Sequence, residues 1–565
     1  MPNIYGAMNT AKVALMAHQL SLEVTGQNIA NVNNADYTKQ EVQLEAAFPI
    51  RAGGSPGLVG TGVRATAIVR RFDQFLEGQR TLNKSNTGYW DARQDFMARL
   101  EVVFNESGTN GLNGLFDNFF KSWQDLASNA KGLTERTDVV AQGRNLSNMF
   151  NKVNQDVKNL RVDLNTKITS SITEINRITG EIANLNAVIH EAEAQNVHAN
   201  DFRDKRESLV RELSSYVQVN TVEDPTNKEI TLSLNNGRAL VIGQTAFTLS
   251  ARQRSDDGLA SDIFWRDTSG QEFNITSEFS NGSMGSWIDM RDTDMTSYLD
   301  KLDQLSATLI RDINNIHSSG YGLDGSTGQD FFTGFNMVTT ANRNNTGTGT
   351  ITGSIVAPDT LNVHKFQIEF TAPGSYDIRD VTTGSVVATE AYGGGPQVSS
   401  YLLGQGMQVT INGAPAANDK FIVNPAADAS LNMAVHSAVV TDSNKIAAGL
   451  TTNQGDGDNA LLLAQLQNSM TMNQATPGAS GTATFAQFYN SIVGEAGVAS
   501  KQAMSAFTQQ EGINVEIERR REQVGGVSLD EESMNLIKFQ HAYQAAARMV
   551  NVVDELLQTL LGMGA

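Results

Sequence analysis

Only a few residues in this chain have the types and spacing that could carry chemistry, and each group lacks a part its chemistry needs. The stretch GGSPG, Gly53 to Gly57, has the outline of a nucleophile elbow with Ser55 as the nucleophile. Such an elbow uses the backbone N–H of the next residue in its oxyanion hole, and here that residue is Pro56, which has none. HEAEAQNVH brings His190, Glu191 and His198 close in sequence. A zinc-binding helix sets its histidines four apart with the glutamate between them on one face. These two are more than two helical turns apart, so the stretch reads as the solvated flank of a coiled coil. In NQGDGDN, Asp456 and Asp458 open like a calcium loop, but Ala460 stands where the next oxygen ligand belongs and the closing glutamate is missing.

The basic run Arg519-Arg520-Arg521 is bracketed by Glu516, Glu518 and Glu522, the mixture of a solvated helix face rather than a phosphate site. His18 and His541 lie near helical seams, where a hydrogen-bonded structural histidine is the default reading and a pH switch the alternative. Tyr543 reads as packing. There is no phosphate loop or dinucleotide fingerprint. No catalytic, cofactor-binding or metal-binding residue is assigned, no cofactor is expected, and the chain does not read as an enzyme.

Composition narrows the classes further. A chain of 565 residues, 40% hydrophobic, should hold several domains. Its formal charge of −19 argues against nucleic acid, whose binders need a basic face. With no cysteine, disulfides, thiolate metal sites and cysteine catalysis are excluded. No window approaches the run of about 20 apolar residues that spans a bilayer, and Asp554 and Glu555 interrupt the C-terminal stripe, so no membrane partner is expected. No secretory signal is visible beyond the short apolar run Val13 to Ala17, so export would use another route.

What remains are long seams. From Leu529 the chain steps by three and four through Glu532, Leu536, Phe539, Tyr543, Ala546, Val550, Val553, Leu557 and Leu560, with Glu532 the one charged member. Gly525 and Gly526 break the chain before it; Ser528 and Glu531 are spaced as a capping box. A helix of about 48 Å with one apolar seam is marginal alone and needs a partner. The other end supplies a seam through Ile4, Met8, Ala11, Leu15, His18, Leu22, Thr25 and Ile29. The spacing predicts that the two termini pair as a coiled coil, with the rest of the chain looped out between them. The plainer alternative is that each helix lies separately on a globular core.

Between the ends the order is α, β, α. YTKQEVQLEAAFPI and VRATAIVRRFD alternate as strands around a glycine-rich loop. A helical stripe then runs through Phe150, Val153, Val157, Leu160, Leu164, Ile168, Ser171, Ile175, Ile178, Ile182, Leu185 and Ile189, with a stutter at Leu164 to Ile168. Period two returns near Thr221, with Asn235, Asn236 and Gly237 as a hairpin turn. A second helical stripe passes through Leu299, Leu302, Leu305, Leu309, Ile313 and Ile316. Short strands fill Ile351 to Val423, and helical patterning resumes near Leu431, broken by a loop around Pro477 to Thr484.

The expected fold is mainly α with inserted β domains: a long coiled-coil-like helical stem built from both termini, plus outward β modules. The expected division is residues 1–45 with 526–565 as a terminal helical domain and 46–222 with 285–335 and 431–525 as an α-helical stem. Residues 223–284 form a β region and 336–430 an outer β module.

GQNIANVNNADYTKQ resembles the N-terminal signature of the bacterial flagellar axial proteins, with Asn28, Ala30, Asn31 and Tyr37 carrying the match. GTGVRATAIVRRFDQFLEGQ, GLFDNFFKSWQDLASNA, NDFRDKRESLVRELSSYV and GVSLDEESMNLIKFQHAYQAAARMVNVVDELLQTLLGM are similar to the hook-associated members of that family, the hook–filament junction proteins. So is GSMGSWIDMRDTDMTSYLDKLDQLSATLIRDINNIHSSGYGLDGSTGQDFF, and the matches come in the family's order. The signature usually has Thr where this chain has Asn34 and Gly where it has Asp36; glycine there would permit a left-handed turn, which aspartate reaches at modest cost.

The resemblance implies a structural subunit that forms a homo-oligomeric ring at the distal end of the hook. Its terminal helices would line an inner tube and its β modules would point outward. It implies contact with the hook protein below and the second hook–filament junction protein above. It also implies export by the flagellar type III apparatus without a cleaved signal peptide, after a chaperone has held the C-terminal helix, and an extracellular place on the flagellum. The alternatives are another axial component (hook protein or flagellin) or, from another class, a surface adhesin with the β region as its binding head.

Overall fold

The computed structural model describes residues 4–51, 58–104, 111–195, 197–474 and 479–563. The GGSPG stretch with Ser55 and part of the loop beginning at Pro477 lie outside the described residues, as does the Leu560 side chain.

The two ends of the chain meet. The N-terminal helix, Ile4–Ala30, packs against the C-terminal helix, Leu529–Met563. They run antiparallel: Asn28 lies beside Glu532, and the His18 ring beside that of Phe539 at 6.3 Å. A hairpin of Gln40–Ala46 and Val63–Arg70 lies along the N-terminal helix, with Gln40 opposite Arg70 and a bulge at Gln43/Leu44. At Gly62 the hairpin backbone comes so close to Thr10 that a Cβ would sit 2.9 Å from its methyl group.

Beyond the hairpin, Gln74–Phe104 pairs with Phe485–Gly525, a second antiparallel pair bringing together distant parts of the chain. Thr484 caps the latter with Gln487 in a complete capping box. Leu112–Ser128, the 62-residue helix Leu133–Ala194 and Asn200–Tyr216 complete this side of the stem. Every residue of the stripe from Phe150 to Ile189 is buried along the long helix, about 93 Å if straight. The second stripe lies on Met295–Ser319, which continues through a π turn from Gly282–Asp289. An aromatic knot of Phe119, Trp123, Phe331 and Phe332 closes the core where these helices meet.

The two β regions differ in what they pack against. The first contains a four-stranded sheet, Val219–Glu223, Ile230–Leu234, Ala239–Ile242 and Thr245–Ala246. Beside it is a three-stranded sheet of Glu272–Asn274, Ser261–Arg266 and Thr248–Gln253. Gly237 sits in the hairpin turn with φ 90°, the left-handed conformation the NNG sequence predicts. Leu232, Val241, Leu249 and Ile263 belong to the core of the helical stem. The second region has its own core. A five-stranded sheet is ordered Val338–Ala341, Lys420–Asn424, Phe366–Ala372, Ser375–Asp380, Val386–Ala391. It shares that core, with Phe370, Tyr376, Val409 and Phe421, with a three-stranded sheet of Thr350–Ile355, Met407–Asn412 and Gln397–Val398.

Residues 433–474 depart from the helical reading. They form short helices and loops fixed by polar contacts: Asn459 donates to the Ala447 carbonyl at 2.7 Å, and Asp456 accepts the Thr451 N–H at 2.8 Å. An apolar period of three or four survives there without a continuous helix, because NQGDGDN turns the chain back on itself.

Candidate assembly interface

The residues singled out for chemistry are engaged otherwise. His190 faces Glu229 at 3.8 Å, while His198 is exposed. Among the described residues no group of three histidine, aspartate or glutamate side chains is placed to hold a metal. Asp456 closes its own loop, also accepting the Asp458 N–H at 3.0 Å, which holds its carboxyl below the usual range. Arg519 and Arg520 both bond Glu516 on the helix surface, but Arg521 turns inward to the Tyr37 carbonyl. His541 is exposed.

The terminal pair is built differently from a leucine seam. On the N-terminal helix the buried positions are Ala11, Ala17, Ser21, Val24, Thr25 and Asn28. Small residues let the backbones approach. The buried hydroxyls bond back into their own helix, Ser21 to the Ala17 carbonyl at 2.9 Å and Thr25 to the Ser21 carbonyl at 2.8 Å. Of the seam read from sequence, Ala11 and Thr25 are buried; Ile4, Leu15, His18, Leu22 and Ile29 are half-buried, and Met8 is exposed. His18 packs against Phe539 with Nδ1 buried and without a hydrogen bond among the described residues, and burial lowers its pKa.

On the C-terminal helix the covered face steps through Glu532, Asn535, Phe539, Ala542, Ala546, Val550, Val553 and Leu557. From Ala546 onward this is the seam read from sequence. Before it, the small Asn535 and Ala542 face inward, and their larger neighbours Leu536 and Tyr543 stand on the flank, 36% and 37% exposed. Leu529 is exposed as well. The opposite flank carries Met534, Met549, Val552, Leu556 and Met563, all exposed. A long helix with one covered face and two uncovered apolar flanks is built to be covered again.

Glu532, the charged exception in the stripe, is the anchor. It is 1% exposed. One carboxylate oxygen bonds Lys39 Nζ at 3.0 Å and the other accepts the Asn28 amide at 3.0 Å. Lys39 also reaches Glu531 at 3.0 Å, so Glu531 does not complete the capping box; its N–H meets Ser528 Oγ only at 3.5 Å. Burial opposes charge on Lys39, but its bonds to Glu531 and Glu532 outweigh that and raise its pKa. Asn28 uses its whole amide: Oδ1 accepts the Tyr37 hydroxyl at 2.8 Å and the Gln40 N–H at 3.1 Å, while Nδ2 also donates to the Gln40 carbonyl at 2.9 Å. Burial, then Asp201, Asp204 and Glu532, push the Tyr37 phenol up. Of the other signature residues, Ala30 ends the helix exposed, and Asn31 caps it by donating to the Gln27 carbonyl at 3.0 Å.

The same elbow ties the terminal pair to the stem. Asp204 accepts the Thr38 N–H at 2.9 Å and bonds Arg70, which also holds Glu207 at 2.8 Å. Asp36 pairs with Arg211 and accepts the Ser208 hydroxyl at 2.8 Å. These two bonds overcome the effect of burial and hold its carboxyl below the usual range. Asp36 is absent from the non-glycine residues with positive φ, so the turn does not need the left-handed conformation, and aspartate gains an ion pair that glycine could not make. Lys39, Arg70, Asp204, Arg211 and Arg521 carry no periodic signal. Glu532 alone was visible, since a charge on a buried seam requires a partner.

Comparison with known proteins follows the same outline. The family profile for the flagellar hook-associated protein FlgK helical domain matches residues 97–332, and that for the flagellar basal body rod FlgEFG protein C-terminal region matches residues 525–563. The chain is 28% identical over 563 residues to flagellar hook-associated protein 1 of Escherichia coli (strain K12), covering 98% of this chain and 99% of that one. It is 25% identical over 599 residues to flagellar hook-associated protein 1 of Bacillus subtilis (strain 168), covering 100% and 99%. The solved structure of the flagellar hook junction protein FlgK from Burkholderia pseudomallei, 20% identical, superposes with a TM-score of 0.70 over 79% of this chain and 100% of that one, and shows the same fold. Over its full length the chain is similar to flagellar hook-associated protein 1, with the match to the FlgK helical domain on its stem.

Proposed function

We propose that this chain is a structural subunit of the bacterial flagellum that joins the hook to the filament, with no catalytic role. Its terminal helices pair with each other and then with those of neighbouring copies in a ring, and its outer β module faces away. The observation that carries the reading is the C-terminal helix, sealed on one face by the Asn28–Glu532–Lys39 anchor and left apolar along Leu536, Tyr543, Val552 and Leu556. The similarity over full length to hook-associated proteins supports the place in the flagellum.

Residues 1–45 with 526–565 act as the inner assembly domain, and 46–222, 285–335 and 431–525 as the stem. Residues 223–284 and 336–430 are β insertions. The partners are further copies of this chain, the hook protein, the second junction protein and, before type III export, a chaperone on the exposed C-terminal flanks. The rod-type match at residues 525–563 favours one rival, a self-polymerising axial protein. Electron microscopy of a deletion strain separates the two. Complete hooks without filaments, restored by this chain, support the junction role. Long tubes formed by the purified chain alone would support the rival.

A further inference from the structure

The outer β module meets the helical body along one face of Met295–Ser319, which is mostly polar, and at an ion pair between Arg343 and Asp262 of the first β region. Lys365 bonds Asp300 at 2.9 Å, Arg311 donates to the Leu361 carbonyl at 2.9 Å, and Asn315 to the Asp359 carbonyl at 2.9 Å. From this helix only Ala307 enters the module's own apolar core. The module's orientation therefore depends on directional polar contacts more than on packed apolar area.

Asp303, beside that face and turned toward the long helix, is buried. It holds the turn and short helix by which the module returns to the body: Oδ2 accepts the Asp428 N–H at 3.0 Å, and Oδ1 accepts the Ser430 N–H at 3.0 Å and the Ser430 hydroxyl. From the long helix, Asn154 donates to Ser430 Oγ at 2.7 Å and lies 3.4 Å from Asp303 Oδ1. No cation among the described residues bonds Asp303. The charged groups facing it are Asp300 on its own helix and Asp428 on the return segment; their lysines, Lys365 and Lys158, are engaged with them at 2.9 and 2.6 Å. Burial, set against the Ser430 bonds and reinforced by the two neighbouring carboxylates, raises the Asp303 carboxyl to about 7.

Two further features mark this cluster as two-state. Asn154 can serve either protonation state, because a half-turn of its amide exchanges a donor for an acceptor. Its buried Oδ1 has no partner among the described residues to hold it as it stands. Asp428, the residue being held, is left-handed at φ 54°, ψ 21°, a conformation that costs a non-glycine residue energy and relaxes on release.

We propose that Asp303, Asn154 and Ser430 form a proton-dependent latch that seats the outer module on the helical body. Neutral Asp303 donates its proton to the Asn154 amide oxygen once that amide has turned over, and keeps the return segment closed. Loss of that proton to solvent leaves a buried carboxylate without a cation, which water entry relieves as residues 428–433 lift. The folded carboxyl is raised above its unfolded value, so the closed state binds more protons, and its stability falls as pH rises from about 4 to about 7.

The test is hydrogen exchange of residues 428–433 in the full chain at pH 6 and pH 8, corrected for intrinsic rates. The wild-type segment should be about tenfold less protected at pH 8, the change expected when only the closed form has its pKa near 7. Asp303→Asn should be equally protected at both. Equal wild-type protection, or a fall of the same size in the variant, overturns the latch. If near-ultraviolet circular dichroism shows the variant misfolded, 13C NMR of labelled aspartate carboxyls in the wild type decides. One carboxyl titrating near neutrality supports the latch; all titrating below pH 5 overturns it.

Discussion

Asn28 in the N-terminal helix donates its amide to the Glu532 carboxylate at 3.0 Å, across 504 residues of sequence. With Lys39 on the same carboxylate, this bond fixes where the last helix begins its run along the first. Everything beyond it, from Phe539 to Leu557, follows in register.

Glu532→Ala should leave Lys39 and Asn28 buried without their shared acceptor. Removing one partner of a buried ion pair costs about 3 kcal/mol. The expected outcome is fast hydrogen exchange in both terminal helices with an unchanged melting transition of the stem, whose core lies elsewhere. Differential scanning calorimetry with exchange mass spectrometry checks both halves.

Leu536 and Val550 separate folding from assembly. Leu536 stands on the exposed flank, so Leu536→Asp should alter monomer stability by less than about 0.5 kcal/mol while abolishing incorporation into the flagellum. Val550 lies in the intrachain seam, so Val550→Asp should loosen the terminal pair as well. Counting filaments in complemented cells, beside thermal melts of the purified variants, reads out the difference.

His317 sets the acid limit of the stem. It is fully buried, its Nδ1 against the Gln329 carbonyl and its Nε2 accepting the Ala447 N–H at 3.0 Å. Burial, with Arg136 and His436 nearby, lowers its pKa to about 4. The unfolded chain binds a proton near 6.5 that the folded chain refuses, so stability is intact above that pH and is lost as pH falls toward 4. Asp303 contributes the opposite slope over the same interval, so the stem's melting temperature should drop from pH 6.5 to 4 in Asp303→Asn, and adding His317→Gln to that variant should flatten the slope.

Arg521→Ala should free the end of Phe485–Gly525 from the Tyr37 carbonyl and loosen the elbow without unfolding either helix pair. Small-angle X-ray scattering of the purified chain should then show a wider spread of dimensions than in the wild type.

The helical stem was legible because its stripes are long and regular: each position from Phe150 to Ile189 that the period selects is buried. The C-terminal seam was legible only in part. Steps of three and four allow two tracks one residue apart, and the track taken places Asn535 and Ala542 inward because small residues permit closer approach than Leu536 and Tyr543. The anchor showed itself as a charge out of place, but Lys39 lies in an aperiodic segment, and nothing in the spacing pairs it with Glu532. The return segment held by Asp303 was illegible for the same reason: two of its contacts are hydrogen bonds from backbone N–H groups, and the others join Ser430 to Asn154 and Asp303, which no spacing pairs.

A chain without cysteine lets thiol chemistry address the assembly directly. His18→Cys with Phe539→Cys, treated with a short bifunctional thiol reagent, reports the two ends of one chain; Tyr543→Cys alone reports neighbours. In isolated flagella, the doubly substituted chain should cross-link within itself and the Tyr543 variant should give adducts between copies. Two ends that never join, or a Tyr543 flank that stays monomeric in assembled flagella, would contradict the account.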